Sequence, residues 1–307
     1  MSILRFTGYE SGNQAEQGGG STGTWAVQAT TVRTGDYAFR TNPSTTNVGY
    51  GNILGLGANG EGANMGVANM YTTVYFRYAT KPATADEPII VHATPTVVKL
   101  EVRLNSDGKL AVYDSALTLL ATGATVLAAD TWYRIETYSG TGATASWEVK
   151  INGTSEVSGT GDLTTTNNSR VWAGKSANRN SNTVDFFYDD ICIDNAAFPG
   201  AGRCFRMDAD GNGNYTAWTG VYTDVDDVPH DSDTTFISSA TSLDAETVTL
   251  ESGPAAGLVG TPIAVMASVV VRDEGGVSAI QVRLRSATTD SDTTSSERTT
   301  TYAFLNK

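Results

Sequence analysis

The stretch Lys99-Leu100-Glu101-Val102-Arg103-Leu104-Asn105-Ser106-Asp107-Gly108-Lys109-Leu110-Ala111-Val112-Tyr113 decides the class of fold. In its first six residues charge and hydrocarbon alternate. Leu100, Val102 and Leu104 share one face, and Lys99, Glu101 and Arg103 point the other way, outward. A period of two marks an antiparallel strand with one face on a core. Asn105 to Lys109 are turn residues, and the apolar run resumes at Leu110, which predicts a hairpin.

The same reading extends in both directions. In Thr72-Thr73-Val74-Tyr75-Phe76-Arg77-Tyr78, Val74, Phe76 and Tyr78 fall on one face, and Tyr75 and Arg77 on the other. Further strands are predicted at Ile3–Phe6, Tyr37–Arg40, Trp132–Tyr138, Ser146–Ile151, Arg170–Ala173 and Phe186–Ile193, with a hairpin turn at Asn152-Gly153. The best helix candidate is Ala116–Leu127, weakened by Gly123 and its threonines. Near Asn195–Arg203 a Pro and Gly-bearing linker interrupts the strands. Beyond it, Met207 to Val271 holds ten acidic residues and no Lys or Arg. Strands are predicted there at Thr234–Ser238, Ala245–Leu250, Ile263–Val271 and Ser278–Ser286. The expectation is an all-β chain: a first domain over 1–198, a linker at 199–206 and a smaller, acidic β-sandwich domain over 207–307.

With 33 acidic residues against 20 basic ones, the formal charge is -13. Such a balance argues against nucleic acid or an anionic membrane as partner, since both need clustered Lys and Arg. The first ten residues turn polar too early for a signal peptide, and no apolar stretch is of membrane-spanning length. Two cysteines, Cys192 and Cys204, are too few for a disulfide framework or zinc site; two free thiols and one disulfide are both open.

Catalytic groups are scarce. The two histidines are His92, in the apolar run Ile89-Ile90-Val91-His92, and His230, among aspartates. The first reads as a hydrogen-bonded core residue and the second as a solvated loop residue. Asp185 and Asp189 share a strand face, but no Glu joins them, so the paired-carboxylate pattern of a glycosidase is missing. The expectation is no enzyme and no cofactor. Calcium is the open question: Asp208, Asp210 and Asn212 put oxygen donors at every second position of a glycine-rich segment. An Asx-rich turn is the leading reading of the same residues, and Thr219 stands where a calcium loop of the EF-hand type needs Glu. A second acid run, Asp224 to Asp233, reads as a loop whose side chains cap their own turns.

Several segments together carry a resemblance. They are Phe6-Thr7-Gly8-Tyr9-Glu10, Val32 to Arg40 with its Arg33-Thr34-Gly35-Asp36-Tyr37, Asp130 to Glu136, Val149-Lys150-Ile151-Asn152-Gly153 and Phe187-Tyr188-Asp189-Asp190-Ile191. In this order they resemble the concanavalin A-like, laminin-G-type jelly roll of tailed-bacteriophage virion proteins. Asp210 to Thr219 and Val225 to Ile237 are similar to a small C-terminal module of phage structural proteins. In the physical reading Trp132, Tyr133, Ile135, Phe187 and Ile191 are core, and Gly35 needs an unusual backbone angle. Asp189 and Asp190 are placed to bond backbone amides.

The resemblance implies a structural protein exposed on a virion, with capsid decoration ahead of a tail or fibre position. It also implies synthesis in the host cytoplasm, capsid or tail subunits as partners, and homo-oligomers. The relatives continue past the last strand, so a neighbour is expected to finish the second domain's sheet. The alternative is a lectin-like protein that binds host glycans through exposed aromatics, with Trp25, Trp147, Trp172 and Trp218 as candidates.

Overall fold

The computed structural model describes residues 3–43, 47–56, 62–176, 182–231, 234–241, 243–252, 261–273, 278–286, 289–292, 296–298 and 303–306. Seventeen strands precede the linker. They are β1 (Ile3–Thr7), β2 (Gly18–Gly23), β3 (Trp25–Gln28), β4 (Ala38–Thr41), β5 (Gly49–Ile53), β6 (Gly55–Leu56), β7 (Gly62–Ala63), β8 (Met70–Thr80) and β9 (Glu87–Ala93). Then come β10 (Val98–Leu104), β11 (Leu110–Tyr113), β12 (Leu119–Thr122), β13 (Tyr133–Ser139), β14 (Ala145–Ile151), β15 (Thr154–Gly161), β16 (Arg170–Lys175) and β17 (Asp185–Asp194).

They form two antiparallel sheets. The first runs β15-β14-β13-β8-β17-β4-β3, with β1 added on β17; the second runs β12-β11-β10-β9-β16-β5-β2. Neighbours far apart in sequence, such as β8 beside β17 and β9 beside β16, make this a jelly-roll sandwich rather than a meander. Between the sheets lies one core containing Phe39, Ile53, Val74, Phe76, Leu100, Val102, Leu104, Ile135, Trp147, Val149, Val171, Phe186, Tyr188 and Ile191. Phe76 packs edge-on to Phe186, with ring centroids 5.3 Å apart, and against Tyr188 at 5.5 Å.

The alternation read from the sequence sets the facing of β8 and β10. Val74, Phe76 and Tyr78 enter the core, as do Leu100, Val102 and Leu104. The turn after β14 has Asn152 and Gly153 at φ 55 and 88, the left-handed pair that a tight hairpin requires.

Four expectations need correction. Ala116–Leu127 is not a helix: Leu119–Thr122 is β12, paired with β11, and Thr125 is tied through its backbone and side chain to Glu156. Phe187 is buried, but outside the cluster between the sheets: β17 turns it to the outer face, where Arg40 and Arg77 flank it at 5.5 and 5.1 Å. Trp132 is half-buried just ahead of β13. Thr234–Ser238 makes only an isolated bridge, Ser238 to Thr219. One strand had no signal at all. β2 is Gly-Gly-Gly-Ser-Thr-Gly, and it passes so close to β5 that a Cβ on Gly19 would lie 2.1 Å from the Asn52 carbonyl oxygen.

After the linker come β18 (Ala209–Thr216), β19 (Glu246–Leu250), β20 (Ser268–Val271), β21 (Ser278–Ile280), β22 (Arg283–Ser286), β23 (Thr289–Asp292), β24 (Ser296–Arg298) and β25 (Ala303–Asn306). They pair only two by two: β18 with β19, β20 with β25, β21 with β24 and β22 with β23. Past Met207, Asp273 and Val282 are the buried side chains among the residues whose burial is described, each 8% exposed. Among those residues, no helix is long and apolar enough to cross a membrane.

Candidate functional site

The two outer faces of the sandwich are used differently. On the first sheet, Tyr71 stacks on Tyr138 at 4.6 Å, and linker residue Phe198 packs edge-on to Tyr71 at 5.1 Å. Lys150 Nζ lies 4.1 Å over the Phe198 ring. Arg33 covers the Tyr75 ring at 3.3 Å, pairs with Asp190 and donates to the Gly202 carbonyl at 3.1 Å. The chain that leaves the sandwich is therefore laid across this face.

The second sheet presents a row drawn from five adjacent strands. Register places Tyr113 (β11) beside Glu101 (β10), Glu101 beside Val91 (β9), Val91 beside Trp172 (β16) and Trp172 beside Asn52 (β5). Their strand neighbours Val102, Ile90, Val171 and Ile53 enter the core, so the row faces outward. Tyr50 stands two residues from Asn52 on the same face and meets Trp172 with ring centroids 5.7 Å apart. Both rings are half-buried, so part of each surface meets solvent. Arg170, two residues before Trp172, shares the face and donates to Asn64 Oδ1 at 2.7 Å.

Glu101 and Arg103 do point out, as the alternation requires, yet both are buried. Arg103 pairs with Glu101 at 2.5 Å and lies 3.8 Å over the Tyr113 ring. Tyr113 donates to Asp86 at 2.6 Å, and burial together with that acid pushes its phenol up to about 12. Lys99 departs from the pattern because β10 bulges there; its ammonium bonds Thr141 Oγ1 at 3.0 Å and the Thr166 carbonyl. The face is thus an aromatic pair beside a neutralised Arg–Glu pair, and Arg170 stands on the other side of Trp172.

His92 sits on the opposite side of β9, in the core. Its Nε2 meets Thr72 Oγ1 at 3.0 Å and Thr137 Oγ1 at 2.9 Å, and its Nδ1 meets Ser139 Oγ at 2.6 Å. Burial, with Lys99 adding to it, holds the imidazole down at about 3, so it is neutral and fully bonded at ordinary pH. Of the tryptophan candidates, Trp147 is core, Trp25 packs against Phe39 and Trp218 belongs to the C-terminal region; Trp172 alone among the four lies on this row.

A second concentration of charge lies where the linker meets the sandwich. Glu16 accepts from Thr7, Gly8, Tyr9 and Ser11, and Asp189 accepts from the amides of Arg33, Thr34 and Asp190. Asp190 accepts from Thr34 Oγ1 and from the Cys204 amide. Glu10 Oε2 accepts from the Asp36 amide at 2.8 Å, whereas its buried Oε1 has no partner. Burial, then repulsion from Asp189, Glu16 and Asp190, pushes Glu10 up to about 8 against the pull of that amide. Burial and Asp190 push Asp189 upward as well. Gly35 closes over Glu10 at φ 67, the conformation expected from the sequence, and a Cβ there would lie 2.1 Å from Oε1. An open pocket beside it is lined by Glu10, Asp36, Phe205, Arg206, Asp208 and Glu251. Cys192 and Cys204 are both free thiols, each pushed upward by burial.

The calcium candidates are engaged in protein contacts. Asp208 pairs with Arg206 at 2.6 Å, Asp210 accepts from Thr249 at 2.7 Å and Asn212 accepts from the Tyr222 amide at 2.8 Å. Asp210 and Asn212 lie on β18, a strand where the sequence suggested a turn or loop. Among the described residues no group of three or more His, Cys, Asp or Glu side chains is arranged to hold a metal.

No family model matches the chain, and no curated protein matches it. Solved structures do resemble it. The cellulose-induced protein Cip1 is similar at 14% identity and TM-score 0.44, over 59% of this chain and 89% of that one. Domain 4 of AbnA, an extracellular GH43 arabinanase of Geobacillus stearothermophilus solved with arabinotriose, is similar at 14% identity and TM-score 0.43, over 62% and 91%. A carbohydrate esterase of the Shiga toxin-encoding bacteriophage phi24B is similar at 13% identity and TM-score 0.42, over 62% and 97%. At these identities the likeness concerns the sandwich and not what it binds.

Proposed function

We propose that this chain binds carbohydrate without turning it over, and that the saccharide lies across the outer face of the second sheet on Tyr50 and Trp172. The observation that carries this reading is the half-buried Tyr50–Trp172 pair in a row that also holds Asn52, Val91, Glu101 and Tyr113. A pyranose has apolar ring faces and a polar rim. An aromatic pair offers the first a surface at little entropic cost, and the neighbouring Asn52 and Arg170 side chains serve the second. The absence of turnover is supported by the state of the acids and bases nearby: Glu101 is held by Arg103, Asp86 by Tyr113, and His92 is sealed on the core side of the sheet.

The test is a glycan array followed by titration of each hit into wild type and Trp172→Ala. At least a tenfold loss of affinity is expected, corresponding to ~1.4 kcal/mol. An empty array, or an unchanged affinity in Trp172→Ala, would refute the reading. Because Trp172 is outside the core, thermal melts of the variant should stay near wild type.

A second reading concerns where this binder is displayed, and the C-terminal region favours it. Between Met207 and Val265 lie Tyr215, Phe236, Leu243, Ile263 and other large apolar side chains that are exposed. Two-stranded ladders that share no core among the described residues are marginal in water, so this region has the character of a segment completed by a partner. With the phage resemblance of the sequence, this supports a berth on a virion, as capsid decoration or on the tail, through residues 207–307. Mass spectrometry of purified particles should find the chain at lattice stoichiometry; its absence from them would remove the reading.

A further inference from the structure

We infer that the saccharide taken by this face is anionic, its acidic group held by Arg170; the inference rests on the binding reading above. The argument begins with how guanidinium groups are used elsewhere in the sandwich. Arg33 pairs with Asp190, Arg40 with Asp185, Arg77 with Asp130, Arg103 with Glu101 and Arg134 with Glu136, while Arg5, sealed from solvent, bonds the Glu16 backbone carbonyl instead. In a chain where 33 acidic residues face 20 basic ones, carboxylate partners are not scarce. Arg170 nevertheless has no carboxylate within ion-pair distance among the described residues. It makes one neutral bond, to Asn64, and its buried Nε is without a partner.

Its placement gives the charge a use. Arg170 and Trp172 stand two apart on β16, both outward, so their backbones are ~6.8 Å apart, within the span of an arginine side chain. A sugar ring lying on Trp172 is therefore within reach of this side chain. The acids of this face are remote from that point. Glu101 lies on β10, two strands away or ~10 Å, and is held by Arg103; Asp86 accepts the Tyr113 hydroxyl beyond it. The charge left over the aromatic pair is positive. A guanidinium matches the planar geometry of a carboxylate and also binds sulfate through forked hydrogen bonds, so both uronic and sulfated saccharides fit.

The experiment is calorimetric titration of the full chain with polygalacturonate, dextran sulfate and uncharged dextran, using wild type, Arg170→Met, Arg170→Lys and Trp172→Ala, each first checked by thermal melting. One of the two anionic polymers should bind at least tenfold more tightly than dextran, and which one does separates carboxylate from sulfate. Arg170→Met should lose at least tenfold, Arg170→Lys less, and Trp172→Ala most of the affinity. Binding of dextran that Trp172→Ala abolishes and Arg170→Met leaves intact would overturn the anionic class and keep the aromatic platform. Anionic binding indifferent to both Arg170→Met and Trp172→Ala, or no binding by any polymer, would overturn both.

Discussion

Replacing Glu10 by glutamine should flatten the fall of stability with pH. The native carboxyl is held near 8, against an ordinary value of 4.5, chiefly because it is buried and secondarily because Asp189, Glu16 and Asp190 repel its charge. An unfolded chain releases that proton near 4.5 and the native chain keeps it until about 8. Between these values the native state binds up to one more proton, so stability falls as pH rises, by at most ~1.4 kcal/mol per pH unit for this group. Over the whole window the ceiling is ~5 kcal/mol; screening by solvent in the open pocket beside the carboxyl brings the working figure to ~2–4 kcal/mol.

Glutamine keeps an oxygen for the Asp36 amide and cannot ionise. Urea unfolding followed by near-ultraviolet circular dichroism, at half-unit steps from pH 5 to 8.5, measures both slopes. At pH 5 the two proteins should agree within ~1 kcal/mol, and at pH 8 the variant should be the more stable by ~2–4 kcal/mol. Asp189, also shifted upward, leaves the variant with a residual slope of the same sign. Parallel curves, or a variant that loses stability at pH 8, would refute a buried, protonated Glu10.

Gly35→Ala should cost at least ~2 kcal/mol, since a left-handed φ and a collision with the Glu10 carboxylate add; a melting point equal to wild type would contradict the geometry. Phe76→Ala, which opens a cavity against Phe186 and Tyr188, should cost ~3–5 kcal/mol in chemical denaturation. Asp210→Ala should lower the melting temperature slightly, ~1 kcal/mol for the lost Thr249 bond, by the same amount in EDTA and in millimolar calcium. A shift that appears only with calcium would restore Asp208, Asp210 and Asn212 as a cation loop.

Where the sequence was read correctly, the signal was local. Alternation in Lys99–Leu104 and Thr72–Tyr78 reports which side of a sheet each residue takes, and a pleated strand leaves no other choice. Asn152-Gly153 and Gly35 were legible because few residues tolerate their backbone angles. What escaped was set by distant partners. The glycines of β2 carry no strand signal; they are needed because the Asn52 backbone lies against them. Phe187 looked like core because a Phe in an apolar strand usually is. Only the packing of Arg40 and Arg77 from other strands makes an outer position dry enough for it.

The candidate site shows why facing and exposure are separate properties. Alternation placed Glu101 and Arg103 outward, and they are, but outward here means onto a surface crowded by Tyr113, Val91 and Trp172. Those neighbours arrive through cross-strand register between β11, β10, β9 and β16, whose residues are separated by as many as 81 positions, between Val91 and Trp172. No window of sequence contains that row. Trp172 could be named in advance as one of four tryptophans, but not preferred, because its claim depends on Tyr50 from β5 lying 5.7 Å away. A binding face assembled by register in this way resists being read from composition. It also makes a sharper mutational target, since changing Tyr50 or Trp172 alters the platform while the core on the opposite side of both strands stays as it was.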